Sequence, residues 1–262
     1  MTATPETKKF IKTFNTFTYS RDWNSVFRDF TEIAALTIHQ QPYHLGAVAK
    51  DEEYEAIEKQ YLEIVKKYKR EELEVIVQLF SYVQTALLNQ PFDFLGSVYM
   101  ELEMHNKHNG EFFTPSPVAK MMAIMTLGSG KIAEIEDKGY ITIGEPACGS
   151  GVMLIESINA MREAGYYDPR KAILFHATDI NRMCCNMCYI QLGILGIPGY
   201  VMHGNTITME MWEARPTPQL RIYQHLYKQE KQKPSPILEP GTKQLAFNFE
   251  SLCKTKNNAI SS

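Results

Sequence analysis

Apolar positions recur at spacings of three and four through residues 22–110. Val26, Phe27, Phe30, Ile33, Ala34 and Thr37 follow Asp22 and Ser25, either of which can cap a helix by accepting from its free first-turn amides. Ile57, Tyr61, Ile64, Val65 and Tyr68 repeat the spacing behind Asp51. A third helix is predicted from about Glu71 to Leu88, stopping before Asn89-Gln90-Pro91, and a fourth over Phe94–His105. Ahead of them, Phe10, Phe14 and Phe17 make one helical stripe in an otherwise unpatterned segment. That segment reads as an arm that docks on its own domain.

From residue 111 the period changes. A helix over Val118–Leu127 opens at Thr114-Pro115-Ser116-Pro117, where proline is tolerated because first-turn amides have no partner to lose. There follow a short strand (Tyr140–Gly144), a glycine turn, a helix (Val152–Ala164), a strand (Ile173–Thr178), a helix (Arg182–Leu192) and a strand (Gly199–His203). Strands alternating with helices predict βαβ units, hence an α/β fold with three parallel strands and right-handed crossovers. Residues 216–262 carry five prolines and seven Lys/Arg against three Asp/Glu, with no run of β-branched residues. One short helix, Leu220–Lys231, is expected in an otherwise extended tail. The resulting division is an arm (1–20), a helical domain (21–110), an α/β domain (111–215) and a Pro/Lys-rich tail (216–262).

Composition narrows the function classes. With 262 residues, 44% apolar and 22% charged, the chain has the make-up of a globular protein and not of a disordered or fibrous one. The net charge is −3, and residues 1–215 hold 20 Lys/Arg against 27 Asp/Glu. A protein that grips nucleic acid with its own broad face is usually more positive, so a chain of this charge that touched DNA would do so locally, in the tail, or through a partner. No run of 18 apolar residues occurs, and the lysines near the N-terminus precede no apolar stretch of the kind a secretory signal needs. Five cysteines, an odd number with two adjacent, fit a reducing compartment, and a cytoplasmic location is expected.

The strongest chemical signal is Gly144-Glu145-Pro146-Ala147-Cys148-Gly149-Ser150-Gly151. A strand runs into a glycine-rich turn and a helix opens behind it, so the backbone can approach a ligand closely and present free amides to a polar group. Glu145 stands at the carboxyl end of the first strand, where doubly wound sheets bind ligands. Asp179 ends the second strand, and a carboxylate there can accept from two ribose hydroxyls. Asn205 follows the third and can hydrogen-bond an adenine edge. Three polar residues at three successive strand ends are a stronger signal than the glycines alone.

At these residues the sequence resembles the N6-adenine DNA methyltransferases, and within them the modification subunit of type I restriction–modification systems. Asp93-Phe94-Leu95-Gly96-Ser97-Val98-Tyr99 and Gly110-Glu111-Phe112-Phe113-Thr114-Pro115 resemble that subunit's join between helical and catalytic domains. Gly204-Asn205-Thr206-Ile207 resembles its Gly-Asp-Thr-Leu, with Asn in place of Asp. The resemblance implies a helical N-terminal domain followed by a truncated, Rossmann-like methyltransferase sheet. It implies S-adenosylmethionine as cofactor, DNA as substrate, and a specificity subunit or another protein completing the sheet as partner. Carried across residue by residue, Phe112, Thr114 and Pro115 flank the methionine end. Glu145, Ala147, Gly149 and Gly151 form the turn beneath it. Asp179 holds the ribose, Ile180 packs on the adenine and Asn205 sits at the adenine edge.

One element of the family pattern is missing. Methyl transfer in these enzymes uses a further strand ending in Asn/Asp-Pro-Pro-Tyr/Phe, which holds a flipped adenine by hydrogen bonds and stacking. Neither Asn-Pro-Pro nor Asp-Pro-Pro occurs, and the nearest string, Ala214-Arg215-Pro216-Thr217-Pro218, lacks both amide and aromatic ring. No catalytic residue is therefore assigned. Two readings remain: a DNA adenine methyltransferase of restriction–modification, or a methylase-like accessory or antirestriction protein that binds without turnover. Cys184-Cys185-Asn186-Met187-Cys188 has no second pair at zinc spacing and reads as buried helix packing, so no metal is expected. Gln244-Leu245-Ala246-Phe247-Asn248-Phe249 loosely resembles peptides that dock on bacterial sliding clamps, but reads rather as a sticky tail without function.

Overall fold

The computed structural model describes residues 4–17, 21–106, 113–127, 134–135, 139–165 and 168–232. Five helices come first: α1 (Pro5–Phe14), α2 (Trp23–His44), α3 (Glu52–Val65), α4 (Arg70–Asn89) and α5 (Phe94–Asn106). Asp22 and Asp51 cap α2 and α3 by accepting from Ser25 and Tyr54 amides. Helix α1 is the docked arm: Phe10 and Phe14 are fully buried, and Phe10 packs edge-on against Phe30 and Phe94. Burying a phenylalanine contributes about 1.5–3 kcal/mol, so this stripe is what offsets the ordering entropy of the segment.

The second half runs α6 (Ser116–Thr126), β1 (Ile141–Glu145), α7 (Val152–Glu163), β2 (Ile173–Asp179), α8 (Arg182–Ile194), β3 (Gly199–Asn205), β4 (Glu210–Pro216) and α9 (Pro218–Gln232). The strands lie in the order β1-β2-β3-β4, with β1/β2 and β2/β3 parallel and β3/β4 antiparallel. The parallel register sets Glu145 beside Ala177 and Asp179 beside His203, which lines up the three strand ends along one edge. One apolar cluster runs through both halves: Phe27, Leu79, Phe94 and Tyr99 from the helices, and Ile155, Phe175, Cys188 and Tyr189 from the α/β part, belong to it.

The three expected strands are present and parallel, and the structure adds a fourth that the sequence reading lacks. The fourth, β4, is antiparallel and has no apolar alternation; its sequence is Glu210-Met211-Trp212-Glu213-Ala214-Arg215-Pro216. Tertiary ion pairs supply what hydrophobic patterning does not. Arg215 donates to Glu32 of α2 at 3.0 Å and to Glu213, and Arg182 of α8 bridges the same two carboxylates. Ala214-Arg215-Pro216-Thr217-Pro218 is thereby accounted for structurally. Arg215 is ion-paired, Pro216 ends β4, and Thr217 is buried, accepting from the Gly199 amide and donating to the Ile197 carbonyl. The helix expected over Leu220–Lys231 runs from Pro218 to Gln232 and packs on α2 and β3. The Gln244–Phe249 string lies outside the described residues, as does Phe112. Among the described residues no helix is long and apolar enough to cross a membrane.

Candidate functional site

The turn between β1 and α7 is laced to the end of β2. The Cys148 amide donates to the Thr178 carbonyl and the Gly149 amide to Asp179 Oδ2, both at 2.8 Å. The other Asp179 oxygen accepts from the Asn181 amide at 2.8 Å, which fixes the carboxylate across the mouth of the turn. Gly149 and Gly151 have φ of +52° and +99°, in the left-handed region that other residues enter at a cost. Gly151 also lies against α8, where an added Cβ would come 3.0 Å from Cys188 Sγ. No side chain among the described residues caps α7, and although the Leu154 amide turns back to the Gly151 carbonyl at 3.1 Å, those of Val152 and Met153 are open to a ligand.

A cavity of about 230 Å³ opens over this turn. Its walls are Ala147, Cys148, Gly149, Ser150, Val152 and Met153 from the turn and α7, Asp179, Ile180, Asn181 and Cys184 from β2 and α8, and Phe113 and Thr114 from the chain entering α6. Phe113 forms the roof: its ring sits where a Cβ on Gly149 would come within 3.2 Å, and it rests on Tyr99 of α5. Ile180 is 60% exposed at the rim, an apolar side chain available to cover a flat ring.

Five sequence-predicted residues, Thr114, Ala147, Gly149, Asp179 and Ile180, meet at this cavity. Four others are not in its walls. Pro115 is the N-cap of α6, and Gly151 the N-cap of α7. Glu145 accepts from the Ala147 amide at 3.3 Å; burial, and then the nearby Asp179, push its carboxyl above the usual range. Asn205 turns its side-chain oxygen to the amides of Ile207 and Thr208 and so shapes the β3–β4 hairpin tip. Thr206 in that tip donates to the Pro146 carbonyl at 2.7 Å, which ties the hairpin to the glycine turn.

Phe113, Asn181 and Cys184 were not singled out as site residues from the sequence. Asn181 had a legible signal, since a residue that can cap a helix follows the strand-ending Asp179 by two. Cys184, Cys185 and Cys188 are buried on α8, and the neighbouring Cys188 together with burial pushes the Cys148 thiol up. Buried, protonated thiols are poor nucleophiles and poor ligands. Among the described residues no group of three His, Cys, Asp or Glu is placed to hold a metal ion.

The donor set suits a nucleoside with a charged tail. It offers a carboxylate for vicinal hydroxyls, an exposed aliphatic side chain for a base, and backbone amides with glycine clearance for the remainder. The family model for N-6 DNA methylases matches residues 91–229, more than half of the chain. The methylase subunit of the type I restriction enzyme MpnII from Mycoplasma pneumoniae is 25% identical over 125 residues, covering 47% of this chain and 21% of that protein. The chain thus spans about a fifth of that relative's length. No solved structure matches the chain.

Proposed function

Since the chain belongs to the N-6 DNA methylase family, we propose that the cavity over the glycine turn binds S-adenosylmethionine and that the protein serves adenine N6 methylation of DNA in restriction–modification. One observation carries the cofactor assignment: Asp179 ends β2 facing a cavity whose floor is the glycine turn that it hydrogen-bonds. The residues present fit the group. Asp179 keeps lone pairs free for the ribose, Ile180 covers the adenine, and Phe113 and Thr114 stand at the opposite wall for the methionine end. When bound, the cofactor supplies an electrophilic methyl group. The contribution of this chain is to orient it and to exclude water beneath it, which is positioning catalysis.

A second reading, cofactor or DNA binding without turnover by this chain alone, is favoured by a specific observation. None of the 262 residues forms the Asn/Asp-Pro-Pro-aromatic string that would hold the target adenine. The match covers 21% of the methylase subunit of MpnII, and in this reading the groups that hold the base come from polypeptide other than these 262 residues. Calorimetric titration with S-adenosylmethionine and methyl transfer to unmethylated DNA separate the readings. Saturable binding without transfer above the no-protein control supports a cofactor module that needs a partner. Transfer by the chain alone establishes the enzyme outright. Absence of binding at millimolar cofactor overturns the assignment.

A further inference from the structure

Packed against the glycine turn lies a buried polar cluster whose side chains the cofactor assignment does not use. Asp93, just before α5, is 5% exposed, and Ser150 and Gln191 are fully buried. Ser150 Oγ donates to Asp93 Oδ2 at 2.7 Å. Gln191 Nε2 donates to Asp93 Oδ1 at 2.9 Å and to the Ser150 carbonyl at 2.7 Å, while its Oε1 accepts from the Leu95 amide at 3.1 Å. The Gly96 amide completes the set on Asp93 Oδ1 at 3.0 Å.

Every polar atom of the three side chains is engaged, and the cluster joins three elements: the start of α5, the turn before α7, and α8. Its packing is tight. A Cβ on Gly96 would fall 2.2 Å from Asp93 Oδ2 and 2.4 Å from Ser150 Oγ, so any larger residue here has to displace the cluster.

Burying a carboxylate is costly, and a helix cap does not require it, because serine and asparagine cap equally well. Burial pushes the Asp93 carboxyl up, and the bonds from Ser150, Gln191 and Gly96 oppose that rise. The second oxygen of Asp93, which capping leaves unused, is the one that reaches Ser150. Ser150 lies between Gly149, bonded to Asp179, and Gly151, the N-cap of α7. Its side chain is therefore the handle by which the underlying elements grip the turn.

We propose that Asp93 and Gln191 are positioning residues for the cofactor turn: through Ser150 they hold the Gly149 and Gly151 amides in place, and so couple the N-terminal helices to cofactor affinity. The inference rests on the assignment of the cavity to S-adenosylmethionine, but its structural half can be read without cofactor.

Two variants test it in the full chain. Asp93→Ser keeps a capping oxygen for the Gly96 amide but is too short to reach Ser150. Ser150→Ala keeps the whole carboxylate cap and removes only the hydroxyl. Two readouts are taken: hydrogen exchange of the Gly149 and Gly151 amides without cofactor, and the dissociation constant for S-adenosylmethionine. Both variants are expected to speed exchange at these two amides and to weaken binding about tenfold. The double variant is expected to be no weaker than the worse single one, because both changes break the same link. A purely structural cap predicts a different result: Ser150→Ala would match the wild type in both readouts. That outcome overturns the proposal, as does additivity in the double variant. If the wild type binds no cofactor, the assignment of the cavity fails, and exchange at Gly149 and Gly151 still decides whether Asp93 and Ser150 hold the turn. If Asp93→Ser does not fold, Ser150→Ala alone decides.

Discussion

Asp179 and Gly149 are joined by a 2.8 Å hydrogen bond from the glycine amide to the carboxylate, across the 30 residues that separate them in sequence. The bond closes the end of β2 onto the turn after β1, and makes one side chain both wall and fastener of the cavity. Truncation at Asp179 therefore removes two things at once, the proposed ribose acceptor and a support for the turn.

Asp179→Ala is expected to weaken S-adenosylmethionine binding by about 1–3 kcal/mol, the range for hydrogen bonds to a charged group. Calorimetric titration of both proteins checks it. An unchanged affinity would mean that the ribose is not held at this carboxylate.

Arg215→Ala should destabilise the fold. Burial pushes the Glu32 carboxyl up, but hydrogen bonding from Arg182, the charge of Arg215 and a bond from Asn186 together hold it at about 2. Removing one partner of a buried ion pair costs about 3–5 kcal/mol, and because Arg182 remains, the expected loss sits at the low end. Denaturant unfolding measures it. The sign with pH follows from the lowered carboxyl. The contribution of Glu32 is complete above the unfolded value near 4.3 and is lost as pH falls toward about 2.

His39 gives a second, milder limb. It is buried between Tyr189, Glu53 and Arg221; burial lowers its pKa, with Glu53 opposing and the charges of Arg221 and Arg215 reinforcing. Arg221 donates to Nε2 and Tyr189 passes its own proton to the Pro216 carbonyl, so the neutral ring with hydrogen on Nδ1 fits this setting. A histidine depressed in the folded state contributes stability above its unfolded value of about 6.5 and loses it as pH falls. Unfolding free energy should drop from about pH 6.5 downwards, less steeply in His39→Gln. Burial also lowers the pKa of His176, so the difference between the two proteins is the quantity to compare. Parallel curves would remove His39 from the account.

DNA binding by the isolated chain should be weak, salt-sensitive and indifferent to sequence. Phosphate neutralisation dominates such binding, and the body is acidic. Residues 233–262 carry four lysines against two glutamates. Deletion has to begin after Gln232, since α9 packs on α2 and β3 and cutting at 216 would remove it. The shortened protein is expected to bind nonspecific DNA more weakly with a shallower salt dependence, measured by fluorescence anisotropy. Unchanged binding would place the contact in the body.

Local chemistry by itself determined most of this protein's secondary structure and the identity of its turn. The periodicity behind Asp22 and Asp51, the proline entry to α6 and the glycines at 149 and 151 act within a few residues, so they read directly from the sequence. Asp179 and Ile180 were legible because strand ends in α/β units face a common edge. The strand β4 was not legible. Its residues form a strand because Glu32 and Arg182, distant in sequence, neutralise Arg215 and Glu213 there. Nor was the division of labour at the site. Phe113 roofs the cavity because Tyr99 supports it, and Asn205 turns to its own hairpin because two backbone amides lie within reach. Asp93 stands in the sequence as an ordinary helix cap, and only the fold brings Ser150 and Gln191 to its second oxygen. Capping and turn formation are settled between near neighbours along the chain, whereas buried charge is settled by whichever partners the packed chain delivers.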